Sequence, residues 1–392
     1  MESSALIITF LGLLLIISIS LDGICQRTGL PRISGLVLIG VAFAAVQQYF
    51  GLPPGADTLG ALTDPLVTIA LVMVAFLLGG DLGFRQLSAL GRPIMIISAV
   101  LAIVTAAVVM AGLAGLGFPI TVAILLAAIA TATDPAAVQQ VARQAGEKSP
   151  RIRLVLGIVA IDDAWGILAF GLALATVGLL TNGDGLSALT TAAWELGGAV
   201  ILGAAIGFPA AWLTGRLQPG EPTQAEAIAI VLLIAGLSEW LGVTPLLTAI
   251  VAGMVVANRS PHHNRTFREI ENIEWPFLVF FFVLAGASIR FDNVLSVLPL
   301  AVVYIVLRTA GRWLGGWVGK SLASADDRMA PRDLGIALTP QAGVAMGMAL
   351  LAAEKLPAVG QDIVAAAVLS TVFFELVGPV VARKVLLPRP GS

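Results

Sequence analysis

The sequence is poor in charge and nearly free of cysteine and histidine. Asp, Glu, Lys and Arg make up 12% of its 392 residues, half the roughly 25% of a soluble domain. A water-facing surface cannot be covered at that density, so a soluble globular protein is excluded. Cys25 is the only cysteine, which excludes an internal disulfide and disfavours a cysteine metal site. The formal net charge of −2 gives no reason to expect a nucleic-acid partner. The sequence contains no catalytic constellation and no glycine-rich phosphate loop. It is not read as an enzyme and implies no cofactor.

Apolar residues are abundant. They form 58% of the chain, with a mean hydropathy of +0.97. Many runs approach the roughly 20 residues that one bilayer crossing takes. The expected fold class is an all-α polytopic membrane protein with about thirteen transmembrane helices. Their approximate limits are 4–22, 33–50, 65–80, 93–117, 120–141, 154–180, 188–215, 225–242, 245–257, 274–289, 294–319, 334–353 and 362–382. The first run is followed by no convincing cleavage site, so it is read as a retained helix. The chain ends shortly after the last run, and no soluble regulatory domain is expected.

The basic residues sort by side. With thirteen spans, only Arg290 and Lys355 of the 22 basic residues fall on the N-terminal side, and Arg308 and Arg312 fall inside the eleventh span. All the others lie on the C-terminal side. The positive-inside rule then predicts a cytoplasmic C-terminus and an outside N-terminus. One missed or invented helix would have scrambled this sorting.

Two spans carry a matching interruption. The fifth breaks at Thr131-Ala132-Thr133-Asp134-Pro135 and the twelfth at Leu338-Thr339-Pro340-Gln341-Ala342-Gly343. Each break is followed by a span with a buried acid. Seven spans separate them, so they run in opposite directions. Paired broken helices in inverted repeats point to a transporter site at the membrane midplane.

A charge at the bilayer centre costs about 2.5–3.5 kcal/mol on insertion scales, so each intramembrane charge needs a reason. Asp162 and Asp163 are adjacent in an otherwise apolar run. Neighbours on a helix point about 100° apart, so one acid can face a fixed cation while the other faces a cavity. Two close carboxylates also repel, which raises the proton affinity of at least one. A carboxylate poised between its two forms can carry H⁺ in one state and a bare cation in the other.

Arg308 is expected to be the fixed counter-ion, with Arg312, one turn further on, snorkelling toward the cytoplasm. Pro135 loosens the fifth span. Freed carbonyls and the hydroxyls of Thr131 and Thr133 would supply hard oxygens for a small cation, with Thr339 and Gln341 facing them. Asp134 offsets the half-helix dipole, caps the second half-helix, or does both. Glu195 and Glu239 lie near outer ends. Glu375 reads equally as a second titrating group and as a packed, paired one. His262 and His263, the only histidines, share a loop with Arg259, Arg265 and Arg268. They read first as solvated residues and second as tuners of a pH response.

Taken in order, these residues resemble the monovalent cation:proton antiporters, most closely the Asp-Asp-motif sodium/proton branch. The stretches carrying the resemblance are Pro31 to Gly40, Phe76 to Leu82, Thr133-Asp134-Pro135, Asp162-Asp163, Phe280 to Ile289 and Pro340 to Ala345. The resemblance implies a dimerisation domain, roughly 1–64 plus 188–289, and a core transport domain, roughly 65–187 plus 290–392. In the core, the two broken helices would cross near Asp163. It also implies a homodimer and alternating access in a prokaryotic inner membrane.

Asp163 would bind Na⁺ (or Li⁺) and H⁺ competitively, with a weak or indirect part for Asp134. Asp162 would pair with Arg308, while Thr133, Pro135 and Pro340 support the crossing. Asp-Asp members carry lysine at that counter-ion, whereas arginine marks the electroneutral Asn-Asp branch, and this sequence mixes the two. The alternatives are a K⁺/H⁺ antiporter and a cation-coupled symporter of an organic anion. Potassium-efflux members often have Gly-Glu-Phe at the second break, where this chain has Gln341-Ala342-Gly343.

Overall fold

In hydrocarbon no water is available to the backbone, so a spanning segment must satisfy its own N–H and C=O groups, and a helix does so. The computed structural model describes residues 2–28, 32–50, 63–81, 84–134, 138, 150–181, 185–214, 223–260, 263–287, 294–325, 330–341 and 343–386. The first helices are α1 (Glu2–Thr28), α2 (Arg32–Tyr49), α3 (Thr63–Asp81), α4 (Phe84–Gly115) and α5 (Ile120–Ile129). Next come α6 (Pro150–Thr181), α7 (Gly185–Thr214), α8 (Thr223–Leu241), α9 (Pro245–Arg259) and α10 (His263–Ala287). The last are α11 (Val294–Ala323), α12 (Leu334–Ala337), α13 (Gly343–Lys355) and α14 (Pro357–Leu386).

Each of the thirteen expected apolar segments coincides with these helices, the fifth only as far as its break and the twelfth as α12 and α13 together, and both interruptions lie where expected. α5 stops at Ile129 and the chain continues unwound to Asp134. Beyond it Pro135 and, apart from Val138, the residues up to 149 lie outside the described residues. α12 is a single turn, the backbone opens through Leu338 to Gln341, and α13 resumes at Gly343. Six helices are long and apolar enough to cross a membrane on their own, and six shorter apolar helices accompany them among the described residues. Outward-facing Ile16, Ile103, Leu172, Val306 and Val380 are exposed, as are Trp194, Trp212 and Trp240. An apolar exterior with tryptophans is the surface that lipid and its interface favour.

Small residues set the packing, because close backbone approach replaces the missing hydrophobic drive inside a bilayer. Gly311, Gly315 and Gly319 of α11 lie against Thr105, Leu101 and Ile97 of α4, so the two helices run antiparallel at close range. Gly40 of α2 meets the backbone of α10 at Gly286. Gly79 and Gly253 do the same for α3 and α9, and Phe76 of α3 meets Phe267 of α10 with ring centres 5.2 Å apart. Gly203 and Gly207 seat α7 on α9. α3 thus packs on α9 and α10, while α4, α5, α6 and α11–α14 gather around the two breaks. Among the described residues, the fully buried arginines, Arg308 and Arg312, lie in that second group, with Asp134, Asp162, Gln341 and Glu375 also buried there.

Candidate functional site

The two breaks cross and are joined through their backbones. The N–H of Asp134 donates to the carbonyl of Pro340 at 2.9 Å. Unwinding leaves the last carbonyls of each half-helix without intrahelical donors. Those carbonyls carry the negative end of the half-helix dipole, and in this chain arginines from α11 answer them.

Arg308 donates from Nε to Ala130 O at 3.1 Å, from Nη2 to Ala132 O at 2.7 Å and from Nη1 to Thr339 O at 2.6 Å. Its guanidinium therefore spans both breaks, and it lies 4.4 Å from the centre of the Phe374 ring. Arg312 donates from Nη2 to Thr131 O and from Nη1 to Asp162 Oδ2, the latter at 2.6 Å. Gln341 adds a third tie, from Nε2 to Ile129 O at 3.1 Å and to the Tyr304 hydroxyl at 3.0 Å.

The counter-ion expectation is corrected here. Sequence placed Arg308 on Asp162, but the ion pair is Arg312–Asp162, and both side chains are wholly buried. Residues four apart share a helix face, so both arginines point into the core. Arg308 sits at the level of the crossing and is taken up by carbonyls. Arg312, one turn further along, is at the level of Asp162. Arg312 therefore does not snorkel to the surface.

Asp162 is held on a second side, because Thr133 Oγ1 donates to the same Oδ2. Leu338 O lies 3.3 Å from that hydroxyl. Asp162 Oδ1 and Gln341 Oε1 are buried acceptors with no protein donor among the described residues.

The expected hydroxyl ligands are arranged differently. Thr131 Oγ1 donates to Ala128 O at 2.7 Å, and Thr339 Oγ1 donates to Ile336 O at 2.8 Å. Each closes the end of its own half-helix in the same way, three residues back. The carbonyls of the same two residues receive Arg312 and Arg308 respectively. The inverted repeat is thus visible in matching hydrogen bonds at both breaks. Asp134 is buried. Pro340 packs on Gly378 of α14, where an added Cβ would meet the ring at 2.9 Å. Asp163 follows Asp162 on α6, and its side chain lies outside the described residues. His262 and the side chain of His263 also lie outside them.

Sequence reasoning missed Tyr304, Phe374 and the role of Arg312. One signal was available: Tyr304, Arg308 and Arg312 recur at four-residue spacing and so form one polar stripe on α11.

The comparisons with known proteins agree with this geometry. A family model described as sodium/hydrogen exchanger, transmembrane, matches residues 11–386. The ammonium/proton antiporter subunit AmhT of Alkalihalophilus pseudofirmus is 22% identical over 377 residues, 95% of this chain and 93% of that protein. The sodium/proton antiporter NhaS2 of Synechocystis sp. is 23% identical over 394 residues, 97% of this chain and 71% of that protein. Among solved structures, the sodium proton antiporter MjNhaP1 of Methanocaldococcus jannaschii has the same fold, with a TM-score of 0.78 at 17% identity and 100% of both chains covered.

Proposed function

The chain belongs to the sodium/hydrogen exchanger family, and we propose that it exchanges Na⁺ (or Li⁺) for H⁺ at Asp163 by alternating access. The observation that carries this reading is the commitment of Asp162. Its Oδ2 is held by Arg312 and by Thr133. That oxygen of Asp162 is thereby committed to a buried ion pair and a hydrogen bond that hold α6 on the crossing. On this reading the exchange falls to the next carboxylate along α6, the neighbour of the one held by Arg312. Asp163 is then the carboxylate that alternates between proton and cation, while Asp162, Asp134 and Gln341 shape the field around it.

One titrating carboxylate carries one proton per cation, so the exchange is electroneutral. The core is α4, α5, α6 and α11–α14, and it moves against α1–α3 and α7–α10. On that division the boundary falls near residue 81 and not near 64, because α3 packs on α9 and α10. The protein is a homodimer in a prokaryotic inner membrane, with its C-terminus cytoplasmic.

The test is proton flux in proteoliposomes driven by Na⁺, Li⁺, K⁺ or NH₄⁺, with and without an imposed potential. The reading expects Na⁺- and Li⁺-driven flux that the potential does not change. Flux driven by K⁺ alone favours the potassium alternative. Flux that needs an organic anion overturns the antiport reading.

A further inference from the structure

The helix that leaves the crossing ends in an ion pair on another part of the molecule. α13 begins just beyond Gln341 and closes at Lys355. Lys355 Nζ lies 3.1 Å from Glu195 Oε1 on α7. Glu195 is itself anchored. The carbonyl of Glu195 accepts from the N–H of Thr244 at 3.5 Å, and the neighbouring Trp194 Nε1 donates to Leu241 O at 2.9 Å. These contacts tie α7, about a third of the way along it, to the α8–α9 turn, on the face where the chain carries few basic residues.

We propose that Glu195 and Lys355 form a latch that holds this arginine-poor face closed and opens once in each transport cycle. The proposal rests on the alternating-access reading above. This pair and the buried Asp162–Arg312 pair differ in kind. Asp162–Arg312 is wholly buried, whereas the Lys355 and Glu195 side chains are 41% and 23% exposed. An exposed pair is weak and readily re-formed, as a contact made and lost in every cycle must be. The buried pair cannot be separated without stranding a charge. Lys355 also stands at the far end of the half-helix that follows Gln341. Any displacement of the crossing relative to α7 therefore acts on this pair.

A weak latch biases the two conformations modestly. Glu195→Gln and Lys355→Gln each favour the conformation open to the arginine-poor face by about two- to five-fold. Apparent cation affinity, measured in right-side-out and everted vesicles, then rises at that face and falls at the other. The charge swap Glu195→Lys with Lys355→Glu brings both values back. A shift of the same sign at both faces, no shift, or a swap without recovery overturns the proposal.

A second measurement uses Glu195→Cys with Lys355→Cys in a Cys25→Ala background that retains exchange. Cross-linking of the two thiols by a bifunctional methanethiosulfonate, each thiolate displacing a sulfinate and scored by loss of maleimide labelling, is expected to stop exchange, and reductant is expected to restore it. Undiminished exchange by the cross-linked protein overturns the latch while leaving the antiport reading intact. Absence of exchange in the wild type overturns both.

Discussion

Arg312 Nη1 lies 2.6 Å from Asp162 Oδ2 with both side chains fully buried. The arginine and the Thr133 hydroxyl share a single oxygen of Asp162, so the side chain cannot rotate away without losing both.

Breaking this pair from either side strands a buried charge, which costs about 3–5 kcal/mol. Arg312→Gln and Asp162→Asn are each expected to lower the thermal unfolding midpoint of the purified protein sharply. The double variant is expected to recover part of the loss, since neither charge is then left alone. Additive losses in the double variant would contradict the pairing.

Arg308 is expected to be more sensitive to shape than to charge. Three of its five N–H groups reach the carbonyls of Ala130, Ala132 and Thr339, and only a planar fork satisfies all three. Arg308→Lys keeps the charge but leaves at least one carbonyl unmatched, at about 1–3 kcal/mol for each such group. Reduced exchange and a lower midpoint are expected for Arg308→Lys, and a larger loss for Arg308→Ala, checked by transport and thermal unfolding. Wild-type behaviour of Arg308→Lys would show that the three carbonyl bonds are dispensable.

The glycine seam between α4 and α11 gives a prediction about packing. A Cβ at Gly315 would come within 3.0 Å of Leu101 Cα, whereas one at Gly178 meets nothing within 4 Å. Gly315→Leu is expected to abolish the folded monodisperse protein on size-exclusion chromatography, and Gly178→Ala to leave it unchanged. Equal behaviour of the two variants would contradict the antiparallel seam.

Much of this was legible in the sequence, for reasons that particular residues make plain. Long apolar runs located the helices because the bilayer dictates their length. Thr-Asp-Pro and Thr-Pro-Gln located both breaks because proline cannot donate to a helix. The choice between Arg308 and Arg312 was not legible. Both occupy one face of α11, and what separates them is the height of α6 relative to the crossing, a tertiary quantity. Nor could composition show that Thr131 and Thr339 turn their hydroxyls back on their own half-helices and offer their carbonyls to the arginines. The side of the molecule taken by α3 was hidden for a similar reason. Its glycine at position 79 is one of 42 in the chain, and only its contact with Ile250 gives it meaning.

The most direct test of the division between the aspartates is proton release when Na⁺ binds to the purified protein. Calorimetry in buffers of different ionisation enthalpy reports it without requiring transport. The account predicts release of about one proton per bound Na⁺ at a pH where Asp163 is protonated. It predicts neither release nor Na⁺ binding in a folded Asp163→Asn variant. Undiminished proton release by Asp163→Asn, or two protons released per Na⁺ by the wild type, would contradict it.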